Sequence, residues 1–315
     1  MTPKNYNDPL AKLAIKRKRL TLLKTVLFSL LACLLLILIC FKGLSSLTAK
    51  NGQKVYHHFQ QLSEIAYPNI SYDSLYYYPS GQFTGKVHAD RFKDIDGIPI
   101  SYSPFEANYS LSGTFESSAE ESSANSYLFD RGTRQKVPQF FNTNVKFENG
   151  EVKSSPSHDL PYVTNMPNQL IEMAITFDKP YTYKELKTML PKNLKKNWLW
   201  IGSKTTLDTS TWATSYQFGT NPEVLDNPQH FLKNLKLVSK EGSKVIINNV
   251  DVYSDLDNYV KEFQNTQNGE QLTFSGIILT GKSENFKELE GKKWIYASSI
   301  GANIDNKAYY KLEVN

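Results

Sequence analysis

Residues 25–41 read TVLFSLLACLLLILICF, seventeen residues in succession without a charge. Residues 21–23 extend the run if the Lys24 ammonium snorkels back to the interface. At about 1.5 Å of rise per residue, roughly twenty residues cross the ~30 Å hydrocarbon layer of a bilayer. The chain is therefore expected to place a transmembrane helix at residues 21–42, after an arm of residues 1–20 and before a large part formed by residues 43–315. A cleaved signal peptide is the competing reading, because Gly43, Leu44 and Ser45 resemble a peptidase site. The apolar run exceeds the 7–15 residues of such a peptide's core, and a retained anchor is expected. Processing as a lipoprotein at Cys33 would leave CLLLILIC as the mature start, still within hydrocarbon.

Direction follows from the flanks. Lys4, Lys12, Lys16, Arg17, Lys18, Arg19 and Lys24 precede the run against Asp8 alone, and a Lys/Arg excess beside a first span stays in the cytoplasm. The expected topology is a single pass of the cell membrane with the N-terminus cytoplasmic and the C-terminal part extracytoplasmic. The formal net charge of +5 belongs to the arm. Its first 24 residues hold seven of the 36 basic and one of the 31 acidic side chains, which leaves 29 and 30 and a net of −1 outside. No direct nucleic-acid contact is expected from so neutral an external part. The arm's charge instead suits anionic headgroups, so the lipid bilayer is itself a partner.

Both cysteines, Cys33 and Cys40, fall inside the run, so the external part has neither a disulfide nor a thiolate site. Seven residues apart, they share a helix face through which the span could form homo- or hetero-oligomers.

Asp8 as N-cap and Pro9 at the first helical position start a rod that continues to Lys42. Within the arm, Leu10, Leu13, Ala14 and Arg17 form one small face and are candidate partner-binding residues. Residues 54–66 show helical spacing through Val55, Phe59, Leu62 and Ala66, closed by Pro68. Together with the strands read at 71–78, 85–92 and 100–115, broken by Pro79, Gly81, Gly97 and Pro104, they make a membrane-proximal region of residues 43–115. Residues 116–126, ESSAEESSANS, have no apolar side chain larger than alanine and are expected to be a mobile loop or linker. Residues 127–315 then alternate strands (170–177, 198–201, 272–280, 294–304) with helices (182–190, 228–238, 256–263, 284–289). The fold class expected is an α+β, or layered α/β, extracytoplasmic domain behind a single transmembrane helix.

Gly276 to Ser283 spells G-x-x-x-x-G-K-S, the phosphate-cradling loop, but Ile277, Ile278, Leu279 and Thr280 build a strand where that motif needs a loop. No nucleophile elbow is present, and His57, His58, His88, His158 and His230 have no metal-ligand spacing. The expectation is a protein without enzymatic activity, cofactor or metal. Tyr76, Tyr77 and Tyr78 must expose some ring if they lie on a strand, which makes them candidate partner-binding residues. Trp198 and Trp200 fall on one strand face and are read as core, with a ligand platform as the alternative.

Residues 171–202 and 274–305, and more weakly 130–142, resemble the bacterial sigma factor regulators, anti-sigma proteins with an N-terminal membrane module and an external C-terminal domain. The signature positions are Phe177, Asp178, Pro180, Tyr181, Trp198, Trp200, Thr280, Gly281, Lys282 and Trp294. The resemblance implies modulation of an extracytoplasmic-function sigma factor in response to an envelope signal, with a sigma factor or another membrane regulatory protein as partner. The arm lacks the His-x-x-x-Cys-x-x-Cys zinc pattern of many anti-sigma proteins. An envelope binding or scaffold protein that binds no sigma factor is the alternative.

Overall fold

The computed structural model describes residues 9–116, 121–124, 127–145, 155–241, 246–247 and 249–314. It opens with one helix, α1, Pro9–Ser63, of 55 residues. The helix is long and apolar enough to cross a membrane, and none of its most apolar stretch is buried in the protein. The cap expected at Asp8 lies outside the described residues. Residues 43–53, between the expected rod and the helical spacing of residues 54–66, join the two into one helix. They are helical throughout, because no proline interrupts them. Gly52, which costs a helix up to about 1 kcal/mol, sits where a Cβ would meet the Tyr109 ring at 2.8 Å. Its bare backbone lets a sheet lie against the helix.

That sheet is a meander of β1 (Ile70–Gly81), β2 (Thr84–Ile95), β3 (Ile98–Ser110) and β4 (Gly113–Glu116), each antiparallel to the next. Asp96 and Gly97 both have positive φ, 55° and 88°, between the paired Ile95 and Ile98. This is the two-residue hairpin turn that Asp-Gly favours. Pro104 does not break β3; the register shifts between Ala89 and Arg91 of β2, and the irregularity accommodates the ring. The chain then enters the segment read as a linker, and there the structure differs. Strand β5, Glu121–Ala124, pairs antiparallel with β6, Tyr127–Asp130. Backbone hydrogen bonds to a neighbouring strand ask nothing of side-chain hydrophobicity, so a Ser/Glu composition can still form a ladder. Residues 117–120 and 125–126 lie outside the described residues.

The C-terminal module begins with a single turn, α2 (Leu160–Val163), and continues through β7 (Gln169–Thr182), α3 (Tyr183–Met189), β8 (Lys195–Trp200), β9 (Gly219–Thr220), α4 (Pro228–Glu241), the short pair β10 (Ile246–Ile247) and β11 (Val250–Asp251), α5 (Ser254–Phe263), β12 (Thr273–Lys282) and β13 (Ile295–Asp305). Its sheet has the order β13-β7-β12-β8-β9 and every pairing is antiparallel. The fold is α+β, and the layered parallel alternative drops out. Helix α3 starts on a capping box: Thr182 Oγ1 accepts from the Glu185 N–H at 3.3 Å while Glu185 Oε2 accepts from the Thr182 N–H at 2.8 Å. Hydrogen bonds from the Thr182 hydroxyl and N–H hold the Glu185 carboxyl below its ordinary value. Thr182→Ala is expected to lower stability by about 1 kcal/mol in a thermal denaturation series. The loss should shrink as pH falls through the Glu185 titration, because a depressed carboxyl contributes only while ionised.

The C-terminal sheet buries both faces. Ile171, Met173, Ile175, Leu199, Ile277 and Leu279 join the helices in one cluster that extends to Val55, Phe59 and Leu62 of α1. Trp198 and Trp200, each 3 % exposed, pack on the other face with Phe140, Ala174 and Ile278, and Phe140 stacks on Trp200 at 4.9 Å. They are core, and no ligand platform is left. The Gly276–Lys282 stretch lies wholly inside β12, with Gly276 paired to Thr176 on one side and Trp200 on the other. Its backbone is committed to the ladder and cannot wrap a phosphate.

Candidate functional site

The helix that crosses the membrane is also a structural part of everything beyond it. Phe59, 1 % exposed, stacks on Phe105 of β3 at 4.1 Å and meets Tyr67 and Tyr72 at 5.8 and 5.5 Å. Past Ser63 the chain is stitched into the C-terminal module. The Gly219 N–H donates to Ile65 O, the Tyr67 N–H donates to Thr214 O, and Glu64 Oε2 meets His230 Nε2 and accepts from Asn234 Nδ2, both at 3.0 Å.

The same point holds a buried polar junction. On β2 the inward positions run Val87, Ala89, Arg91, Lys93 and Ile95, all at most 4 % exposed. The first two face apolar neighbours, whereas Arg91 lies over the Tyr67 and Tyr102 rings and donates to Ser103 O. Lys93 reaches across to β7 and forms a 2.7 Å ion pair with Glu172, both side chains at most 1 % exposed. Glu172 also accepts from Asn69 Nδ2 at 2.8 Å and from the Ala302 N–H at 3.0 Å. Its carboxylate fits only because residue 301 is glycine, since a Cβ there would collide with Oε2.

A second layer surrounds the pair. Asn197 Nδ2 donates to Asn69 Oδ1 and to Asp94, Thr280 Oγ1 donates to Asn197 Oδ1 at 2.7 Å, and the Asp96 N–H donates back to Thr280 Oγ1. Lys195 pairs with Asp94 and Glu313 at 2.9 and 2.6 Å. Burial alone would lower the Lys195 pKa, but hydrogen bonds to Glu313 and Asp94 outweigh it and hold the ammonium above its ordinary value. Burial pushes the Asp96 carboxyl up, against the opposing Val314 N–H. A cleft of about 480 Å³ opens beside these groups, bounded by Glu64, Tyr72, Lys195, Lys196 and Glu223. The network leaves Asp96 Oδ2 buried without a hydrogen-bond partner, but its other bonds join the two modules in one relative placement, and losing them would be costly.

Two family models match the chain. One is the sigma factor regulator N-terminal region, over residues 11–100, and the other the sigma factor regulator C-terminal region, over residues 164–302. The chain belongs to the sigma factor regulator family. Searches of curated proteins and of solved structures return no match. Family membership makes the protein an anti-sigma-factor-like regulator and implies interaction with a sigma factor. The two matched regions meet at the junction just described: Lys93 belongs to the first and Glu172 to the second.

The regulator's other expected site residues are scattered. Leu10, Leu13, Ala14 and Arg17 lie exposed along α1, Leu10 at 75 %. The tyrosine row is divided by the strand rather than gathered into one surface. Tyr76 and Tyr78 lie together on the outer face at 5.8 Å, Tyr76 beside His88, while Tyr77 lies on the opposite face against Tyr56 and Tyr109 and is itself 39 % exposed. Among the signature positions, Phe177 packs edge-on against Tyr181 and Trp294, and the Tyr181 hydroxyl donates to Asp178 at 2.8 Å. Burial and that bond push the Tyr181 pKa up to about 12. Pro180 is exposed at the same corner. Thr280 is the one signature residue in the junction. Gly281 pairs with Ile171 and Lys282 with Leu170 across the β7–β12 ladder.

Sequence reasoning missed Lys93, Glu172, Asn69 and Asn197. A signal existed for the pair, because Lys93 falls in phase with Val87 and Ala89, and Glu172 is the one charge in LIEMAITF. A charge at an inward position of a strand needs a buried partner.

Proposed function

We propose that this regulator holds an extracytoplasmic-function sigma factor at the cytoplasmic face through its basic arm and releases it when an envelope signal acts on the external modules. The observation that carries the reading is the continuity of α1. One unbroken helix runs from Leu10 to the Phe59 stack and ends at Ser63, six residues before Asn69 of the Lys93–Glu172 junction, so a change in the external packing bears on the arm's support. The excess of lysine and arginine ahead of the span supports a cytoplasmic N-terminus. A ligand or protein seated in the 480 Å³ cleft would touch the end of α1 and the C-terminal sheet at once. It would signal only by binding two arrangements unequally. The function requires no catalytic step.

The test keeps the basic residues, and with them the topology, and alters the apolar face. Leu10→Glu with Leu13→Glu is expected to raise a reporter driven by the cognate sigma factor at least about tenfold, which corresponds to ~1.4 kcal/mol of lost binding. The amount of regulator in the membrane should not change. An unchanged reporter, with no sigma factor crosslinked to the arm, would leave the envelope scaffold as the better reading.

A further inference from the structure

The meander has two unlike ends. At one end the β2–β3 turn carries Asp94 and Asp96 into the junction with the C-terminal module. At the other, the β1–β2 and β3–β4 turns lie beside α1 where it leaves the apolar run. Phe83 of the first turn meets Phe41 at 5.3 Å, the Leu111 N–H of the second donates to Phe83 O at 3.1 Å, and Asn51 Nδ2 donates to Ser110 O at 2.9 Å.

Phe41 is the last residue of the uncharged run, and Lys42 is the first charge after it. The hydrocarbon boundary therefore lies close to Phe41. The headgroup layer beyond it, roughly 5–7 Å thick, takes up about four or five residues of helix. A ring in contact with Phe41 lies at that boundary whichever side of the membrane the module occupies. Three features of the turns fit this position. Neither residues 79–85 nor residues 110–115 include a charged side chain; the first charges after them in sequence are Lys86 and Glu116. Leu111 is 39 % exposed, and Lys42 follows Phe41 directly. Phe83 also holds a φ of 59°, the left-handed conformation that favours glycine or asparagine in such a turn. A bulky aromatic there is unexplained by the turn and explained by its surroundings.

We infer that the Phe83 and Leu111 turns form a lipid-contact surface, inserted into the interfacial layer of the phospholipid bilayer beside the spanning helix. The sheet is then held at two places, by α1 and by its own tips, and its tilt is referred to the bilayer surface. Aromatic and aliphatic side chains at the acyl boundary with lysines behind them are the arrangement of an interfacial anchor. This depends on the span alone and on no sigma factor.

The experiment uses the full chain, with Cys33→Ala and Cys40→Ala, in phosphatidylethanolamine–phosphatidylglycerol nanodiscs. A single cysteine is placed at Leu111→Cys, Gln82→Cys or Tyr162→Cys and labelled with an environment-sensitive fluorophore. All three positions are exposed, and Tyr162 lies on the C-terminal module. With lipids that carry a nitroxide near the headgroup, labels at 82 and 111 are expected to be quenched at least about twofold more than the label at 162, as for a surface buried at the headgroup–acyl boundary. The two turns report independently, so the loss of one variant leaves the other. Equal quenching at the three positions would overturn the inference. So would blue-shifted emission at 82 and 111 without quenching, which would assign the tips to a second copy of the chain.

Discussion

Glu172→Ala is expected to cost the regulator about 3–5 kcal/mol, the loss that follows when one member of a buried ion pair is removed. The substitution leaves the Lys93 ammonium, 1 % exposed, without its 2.7 Å partner, and strips an acceptor from Asn69 and from the Ala302 N–H. Chemical denaturation of the full chain in nanodiscs measures the change. The pair's own worth is a separate quantity, because bringing two charges out of water offsets most of their attraction. Lys93→Met combined with Glu172→Leu should therefore recover the part of the loss that comes from the unpaired ammonium, leaving the Asn69 and Ala302 donors without their acceptor. A single substitution costing under about 1 kcal/mol would mean that Lys93 escapes to water, and the junction would not be the rigid link described above. Because Lys93 lies in the membrane-proximal module and Glu172 in the C-terminal one, Glu172→Ala should also shift the sigma-dependent reporter, while the double variant should not.

Phe59→Ala is the second large effect, about 3–5 kcal/mol for emptying an aromatic position in a packed core. Phe59 is where the C-terminal half of α1 grips the meander, through the 4.1 Å stack on Phe105 and the contacts to Tyr67 and Tyr72. Hydrogen exchange should show faster opening of β1–β4, with β7 and β12 at the centre of the other sheet keeping their protection. Tyr76→Ala, on the outer face at 46 % exposure, should stay within about 0.5 kcal/mol. Equal losses at the two positions would remove Phe59 from its place as the attachment point.

Much of the fold was legible because its signals are local. The strands around residues 170–177 and 272–280 and the helices near 182–190, 228–238 and 256–263 declare themselves through period, caps and prolines. Each occurs within a few residues of its expected span. One local inference failed. Residues 121–124, read as part of a linker from their polar composition, form a strand because β6 offers a ladder. The neighbouring strand made that assignment. Residues 43–53, which carry no reading of their own, are helical because the span runs straight into the sheet-bound segment. The tyrosine row divided because alternation turns Tyr77 away from Tyr76 and Tyr78, and only the location of α1 decides which face is inside.

The sequence by itself determined the membrane-spanning helix, the charge of its arm and the type of nearly every element beyond it, since an uncharged run, a Lys/Arg excess and a hydrophobic period are each read within one segment. Only the tertiary structure decided that Lys93 meets Glu172, 79 positions along the chain, and that Phe83 returns to Phe41. The pair was visible as two charges in apolar phase, each in need of a partner. Which partner depends on the register of two separate sheets and on the path of one helix between them, and no single segment carries that information.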